Sequence, residues 1–154
     1  MDRVERLLAY HEIADVIGRY CILFDDQDWD GLAQLWTADA SFEVGDTVFA
    51  PRDILLAFLR TCLPAGFQSK HMIAPPLVDL ADAGVRANAR TDVVWISWNF
   101  ENTIVARYHD DLVRQDGRWR ILRRLEVPMQ YSPGPPPMSQ TAVSVSAATM
   151  RGEA

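Results

Sequence analysis

The sequence predicts an α+β fold: a cone-shaped, strongly curved mixed or antiparallel sheet with three helices packed on its concave face. Three observations predict it. Apolar residues recur at three- and four-residue steps in the first part of the chain, and from Gln68 to Met129 the period falls to two. The helical segments also precede a long meander instead of alternating with its strands. Composition agrees with one globular domain: 154 residues, 49% apolar and 23% charged. That mixture excludes wholesale disorder, and no apolar run approaches the roughly 20 residues of a membrane helix.

The first helix carries Val4, Leu7, Leu8, Ile13, Val16, Ile17, Tyr20, Cys21 and Phe24 as one wide stripe, with Arg3, Glu5, Arg6, Glu12, Asp15 and Arg19 opposite. Asp25-Asp26-Gln27 breaks the pattern. A short second helix starts at Asp28, an N-cap residue, and turns Leu32, Leu35 and Trp36 inward. Phe42 and Val44, the turn Gly45-Asp46, then Val48 and Phe49 predict a small hairpin. Pro51 starts a third helix with Ile54, Leu55, Phe58, Leu59 and Cys62, and Pro64-Ala65-Gly66 ends it. Residues 69–81 read as one strand, bent where Pro75-Pro76 cannot donate ladder bonds. After a turn at Asp82-Ala83-Gly84, a long strand runs from Val85 to Trp98. Its one face carries Val85, Ala87, Ala89, Thr91, Val93, Trp95 and Ser97. Thr103 to Arg114 follows, then the hairpin turn Asp116-Gly117 and a last strand from Trp119 to Met129. The domain is expected over 1–131. Residues 132–154 are a Pro/Ala/Ser-rich tail, expected to be partly mobile or to cover a neighbouring subunit.

The formal net charge is −6, and 14 of the 15 basic residues are arginine. Such a chain is repelled by phosphate backbones unless its basic residues cluster, so nucleic acid is a poor partner. Cys21 and Cys62 form no framework and read as free buried thiols in a cytoplasmic protein. The opening Met1-Asp2-Arg3-Val4-Glu5-Arg6 has charges of both signs, unlike a signal peptide. No His-x-His or HExxH is present, so a dedicated metal site is not expected.

Two residues stand out chemically. Asp25 follows Phe24 at the end of the apolar stripe, beside its inward edge, where a carboxylate opposes the helix dipole. An exposed helix-terminal residue is the alternative. His71 follows the polar Gln68-Ser69-Lys70 and precedes an apolar stretch, which suits a pocket rim as well as a hydrogen-bonded core position. Held against a carboxylate, its imidazole keeps one tautomer and gains an ionised partner for the imidazolium, the chemistry that removes a proton from carbon. Tyr20, Phe24, Trp95 and Tyr108 either fill the core or line a pocket, the tyrosines as hydrogen-bond donors to substrate and the others as walls. His11 reads as surface and His109 as outward. Arg123 and Arg124 must face opposite ways on a strand; one of them reaching the pocket floor is the alternative, and outward pairing with acids is the expectation.

Tyr20-x-x-x-Phe24-Asp25, Asp28-Trp29-Asp30-x-Leu32, Lys70-His71-Met72-Ile73 and Tyr108-x-Asp110-x-Leu112-Val113-Arg114-x-Asp116-Gly117-Arg118-Trp119-Arg120-Ile121 together resemble one family. It is the SnoaL-like, scytalone-dehydratase-like branch of the nuclear transport factor 2-like superfamily, over about residues 5–131. The resemblance implies the cystatin-like α+β barrel fold. It also implies an Asp25–His71 dyad like that of scytalone dehydratase and hexachlorocyclohexane dehydrochlorinase. Departures are Trp95 at a second-histidine position, Phe24 at a tyrosine, Tyr20 at a lysine, and Gln115 near a hairpin arginine. The expectation is a cofactor-free lyase of dehydratase type, or an isomerase, acting on a small cyclic or polycyclic apolar molecule. A non-catalytic binding or assembly domain, or an accessory subunit of an oxygenase, is the alternative. The outward residues Val105, Arg107, His109, Asp111 and Val113, with Val94, Ile96 and Trp98, predict a homo-oligomer, and the dehydratase resemblance implies a trimer before a dimer.

Overall fold

The computed structural model describes residues 1–63, 65–81, 84–100 and 102–129. The predicted tail at 132–154, and parts of the turns expected at 64–66, 82–84 and 99–102, lie outside the described residues. Helix α1 (Arg3–Asp25) opens on a capping box: Asp2 accepts from the Val4 and Glu5 amides at 2.8 Å, and Glu5 accepts from the Asp2 amide at 2.7 Å. Its buried stripe runs from Ala9 through Ile13, Ile17 and Tyr20 to Phe24. Each fully buried aliphatic side chain there contributes about 1.5–3 kcal/mol. Val4, Leu7 and Leu8, predicted to share that stripe, are exposed.

Helix α2 (Trp29–Gln34) is capped by Asp28, whose carboxylate accepts from the Gly31 amide at 2.9 Å. A Cβ on residue 31 would lie 2.6 Å from that carboxylate, so a side chain there would push the capping group aside. The following strand, β1 (Trp36–Val44), starts earlier than the predicted hairpin and turns into β2 (Thr47–Phe49). Helix α3 (Arg52–Cys62) buries Leu55, Leu56 and Leu59. The predicted Ile54 and Cys62 are exposed, a one-residue rotation of its apolar face.

The predicted single strand over 69–81 is two: β3 (Ser69–Ile73) and β4 (Leu77–Ala81). Both pair antiparallel with β5 (Arg86–Ser97), the first through Ser69↔Ser97 and the second through Leu77↔Arg90. The two prolines between them lack the donors that would continue the ladder. Val85 lies outside β5 and is exposed. Strands β6 (Thr103–Gln115) and β7 (Arg118–Pro128) form the long hairpin, closed by Asp116 and Gly117, both at positive φ as its tight turn requires.

The sheet order is β2-β1-β7-β6-β5-β3, with β4 also on β5. All pairs are antiparallel except β1 with β7. The sheet is therefore mixed, curved and unclosed, and the three helices fill its concave side. Ala87, Ala89, Thr91, Val93, Ala106, Tyr108 and Leu112 are buried on that inner face. Among the described residues no helix is long and apolar enough to cross a membrane.

Candidate functional site

The last residue of α1 is fastened to the first strand after α3. Asp25 Oδ1 accepts from Ser69 Oγ at 2.9 Å, and Oδ2 accepts from the His71 amide at 2.7 Å. Oδ1 also meets His71 Nδ1 at 2.8 Å. These bonds offset the unfavourable position of a carboxylate at a helix C-terminus. Alternation along β3 turns Ser69, His71 and Ile73 inward and leaves Lys70 and Met72 outward. The Asp25 and His71 side chains are only 3% and 4% exposed. Burial pushes the Asp25 carboxyl up, but the His71 ring, the His71 amide and the Ser69 hydroxyl outweigh it, so the group titrates below the ordinary aspartate range. Because Nδ1 faces a carboxylate, it carries the proton, and Nε2 presents its lone pair on the other side.

That other side is a cavity of about 270 Å³, walled by Tyr20, Phe24, Val93, Trp95, Ile104 and Tyr108, and by Phe42 and Phe58 across from them. Phe24 and Tyr20 meet the imidazole edge-on at 5.3 Å and 6.2 Å between centroids. Tyr108 Oη lies 3.4 Å from His71 Nε2. So five of the six predicted site residues line one cavity: Tyr20, Phe24, His71, Trp95 and Tyr108. Asp25 stands behind the imidazole and borders a separate cleft with Ser69, Lys70, Trp98 and Phe100. His11 is exposed on α1, and His109 is on the outer face. Among the described residues no three His, Cys, Asp or Glu side chains are grouped to hold a metal ion.

Three inner-face residues escaped the sequence reading. Arg124 was expected to face outward, yet it is fully buried and forms a bidentate pair with Asp110 at 2.6 Å and 2.8 Å. Its guanidinium carbon sits 4.1 Å from the Tyr20 ring centroid and 4.0 Å from that of Tyr108. Its Nη1 has no partner among the described residues. Burial disfavours the charged guanidinium, but Asp110 and the two rings more than reverse this, so it stays protonated. Arg123 does face outward, to Glu43 at 2.6 Å. The cause of the misreading is a bulge. Asp111 pairs with Arg123 and Leu112 with Ile121, leaving Leu122 without a register partner. Trp119 and Ile121 are buried before the bulge, and Arg124 is buried after it, in the opposite phase. The third missed residue, Glu126, follows Arg124 by two and lines the cavity. Gln115, where the resemblance put an arginine, is exposed at the end of β6.

Burial drives both tyrosine hydroxyls well above their ordinary range, against the pull of Arg124. At neutral pH they are therefore neutral donors. Cys21, buried beneath them, is pushed up to about 11 by the same cause and stays a thiol. Cys62, predicted buried, is exposed at the cavity edge.

Solved structures share this architecture. A putative scytalone dehydratase from Novosphingobium aromaticivorans matches 90% of this chain and 99% of its own at 18% identity and a TM-score of 0.75. An NTF2-like protein with a cystatin-like fold from the same organism matches 85% of this chain and 88% of its own at 26% identity and 0.72. A hexachlorocyclohexane dehydrochlorinase, LinA type 2, matches 90% and 100% at 19% identity and 0.70. These likenesses establish the fold. No curated protein matches the chain. The SnoaL-like domain model matches residues 5–125, most of the chain. This chain belongs to the SnoaL-like domain family.

Proposed function

We propose that the chain is a cofactor-independent lyase that eliminates water from a small cyclic or polycyclic apolar molecule, with double-bond isomerisation on the same site as the second outcome. One observation carries this reading: a buried carboxylate holds His71 Nδ1 at 2.8 Å while Nε2 faces an apolar cavity. His71 removes a proton from a carbon acidified by a neighbouring carbonyl, and the charge of Asp25 offsets the imidazolium that forms. Tyr108, 3.4 Å from Nε2, and Tyr20 donate hydrogen bonds to the oxygen where negative charge develops. Arg124, between their rings, strengthens both donors through its charge. Phe24 and Trp95 hold the apolar body of the substrate. A cavity of about 270 Å³ suits two fused rings better than an extended chain.

The test is a panel of hydroxylated polyketides and steroids monitored for water loss. His71→Ala and Asp25→Asn are expected to keep the fold and lower turnover by about 10²–10⁴-fold. Unchanged rates in both variants would reject the dyad and favour a binding domain.

The outer face supports a homo-oligomer, with a trimer proposed. Val94, Val105, Val127 and Met129 surround a groove of about 700 Å³ with Arg107 and His109. Light scattering on the eluted protein is expected to give a multiple of the 17.4 kDa chain mass, and a monomer would reject this contact.

A further inference from the structure

We propose that Glu126 is the acid that hands a proton to the departing oxygen, from the wall of the cavity opposite His71. The inference rests on the reading of His71 as the base. Glu126 is on β7 and His71 on β3, and β6 and β5 separate those strands in the sheet, yet both side chains line the same cavity. The bulge at Leu122 turns Glu126 inward, opposite Tyr108 in the β6–β7 register. Tyr108 thus stands between the two groups, with its hydroxyl toward His71 Nε2. Glu126 is half-buried, and among the described residues none hydrogen-bonds or ion-pairs with it. Its carboxyl therefore meets the cavity without a partner of its own.

The groups that face it are Tyr20 from α1, Cys62 from α3, His71 from β3, Tyr108 from β6 and Arg124 from β7. Strand β1 adds only Phe42 and Val44 to this cavity. Burial raises the Glu126 carboxyl above the ordinary glutamate range, and the charges of Arg124 and His71 reverse only part of that. Asp25 is moved the opposite way. Two carboxyl groups at one site, one held ionised and one biased toward its acid form, mark a division into a charge stabiliser and a proton donor.

The step balances without a co-reactant. His71 Nε2 takes the proton from carbon, and the C–H electron pair becomes the new double bond. The C–O bond breaks, and its oxygen takes that electron pair together with the Glu126 proton and leaves as water. The imidazolium then returns one proton to the Glu126 carboxylate through the product water, restoring both groups.

The probes are 3-hydroxy-1-tetralone, 3-acetoxy-1-tetralone and 1-tetralone. The first two become 1-naphthol, read by absorbance, by losing water or acetate. The third has no leaving group and reports proton removal alone, as deuterium uptake at C2. Glu126→Gln is expected to slow water loss by about 10²-fold or more while acetate loss and deuterium uptake stay near wild type, because acetate departs without an added proton. Equal slowing of all three reactions, or of none, overturns the proposal. His71→Ala is expected to stop deuterium uptake; if uptake persists, the base assignment itself falls, a result separate from any Glu126 outcome. In wild-type protein carrying [δ-¹³C]glutamate, the Glu126 carboxyl is expected to titrate above the other glutamates, and titration at or below them also overturns the proposal.

Discussion

The Asp25–His71 and Asp110–Arg124 pairs both lie on the helix side of the sheet, with closest side-chain contacts of 2.8 Å and 2.6 Å, and they differ in what the nitrogen partner can do next. Arg124 is closed in on every side, by Asp110 and by the rings of Tyr20 and Tyr108, and it never releases its proton. His71 has a second ring nitrogen, and with Nδ1 held by Asp25 its Nε2 is turned to the cavity, where a lone pair can take up a proton. A short contact to a carboxylate therefore does not mark a reactive group. An ionisable partner with one free, cavity-facing atom does. The closed pair bears on the electrostatics of the tyrosines, and the open pair is the one proposed to move a proton.

The largest effects should separate the two pairs by readout. Arg124→Met leaves Asp110 as an unpaired buried carboxylate and is expected to destabilise the protein by about 3–5 kcal/mol in urea unfolding. Adding Asp110→Leu should recover most of that loss, since a buried ion pair replaced by apolar groups of similar volume is near neutral. His71→Ala, by contrast, should cost turnover and leave the unfolding midpoint much nearer wild type. A His71→Ala protein as unstable as Arg124→Met would erase the distinction.

The pH dependence of stability sharpens it further. Asp25 has a folded-state pKa below its unfolded value of about 3.9, so it stabilises the fold above that pH and loses this contribution as pH falls through the lower folded value. Asp25→Asn should therefore flatten the acid limb of the stability curve below about pH 4. Glu126 has the opposite sign. Its folded-state pKa lies above the unfolded value of about 4.3, so its contribution is complete below that pH and is lost as pH rises through the folded value. Glu126→Gln should therefore gain stability relative to wild type on moving from pH 4 to pH 7, as measured by thermal melts at both. Like-signed shifts in the two variants would contradict the assigned environments.

The smallest effect belongs to a surface pair of equal length. Arg19 Nε meets Asp15 at 2.6 Å, one helical turn apart, with both side chains about half exposed. Solvent screens such a contact, so Asp15→Asn should leave the unfolding midpoint unchanged. A clear shift there would mean that contact length, not burial, governs these pairs.

Much of the framework is legible along the chain. Asp28 and Asp116-Gly117 state a cap and a turn in one or two residues, because the bonds they make are local. Tyr20, Phe24 and Asp25 lie on one stretch of helix, so their shared edge follows from helical spacing alone. The failures have a different origin. Val4, Leu7 and Leu8 have the right spacing for burial but nothing opposite them to be buried against. Arg124 and Glu126 were missed because one unpaired residue, Leu122, reverses the inward phase of β7.

By itself, then, the amino-acid order determined the helices-then-meander layout and the hairpin turns, since periodicity and turn chemistry are properties of neighbouring residues, and it singled out Asp25 and His71 as candidates. Tertiary structure alone decided that β1 runs parallel to β7, that the register slips at Leu122, and that Asp25 and His71 meet. Each of these depends on which strand lies alongside, and partner choice joins segments 80 residues and more apart, as the Glu43–Arg123 contact and the β1–β7 pairing show.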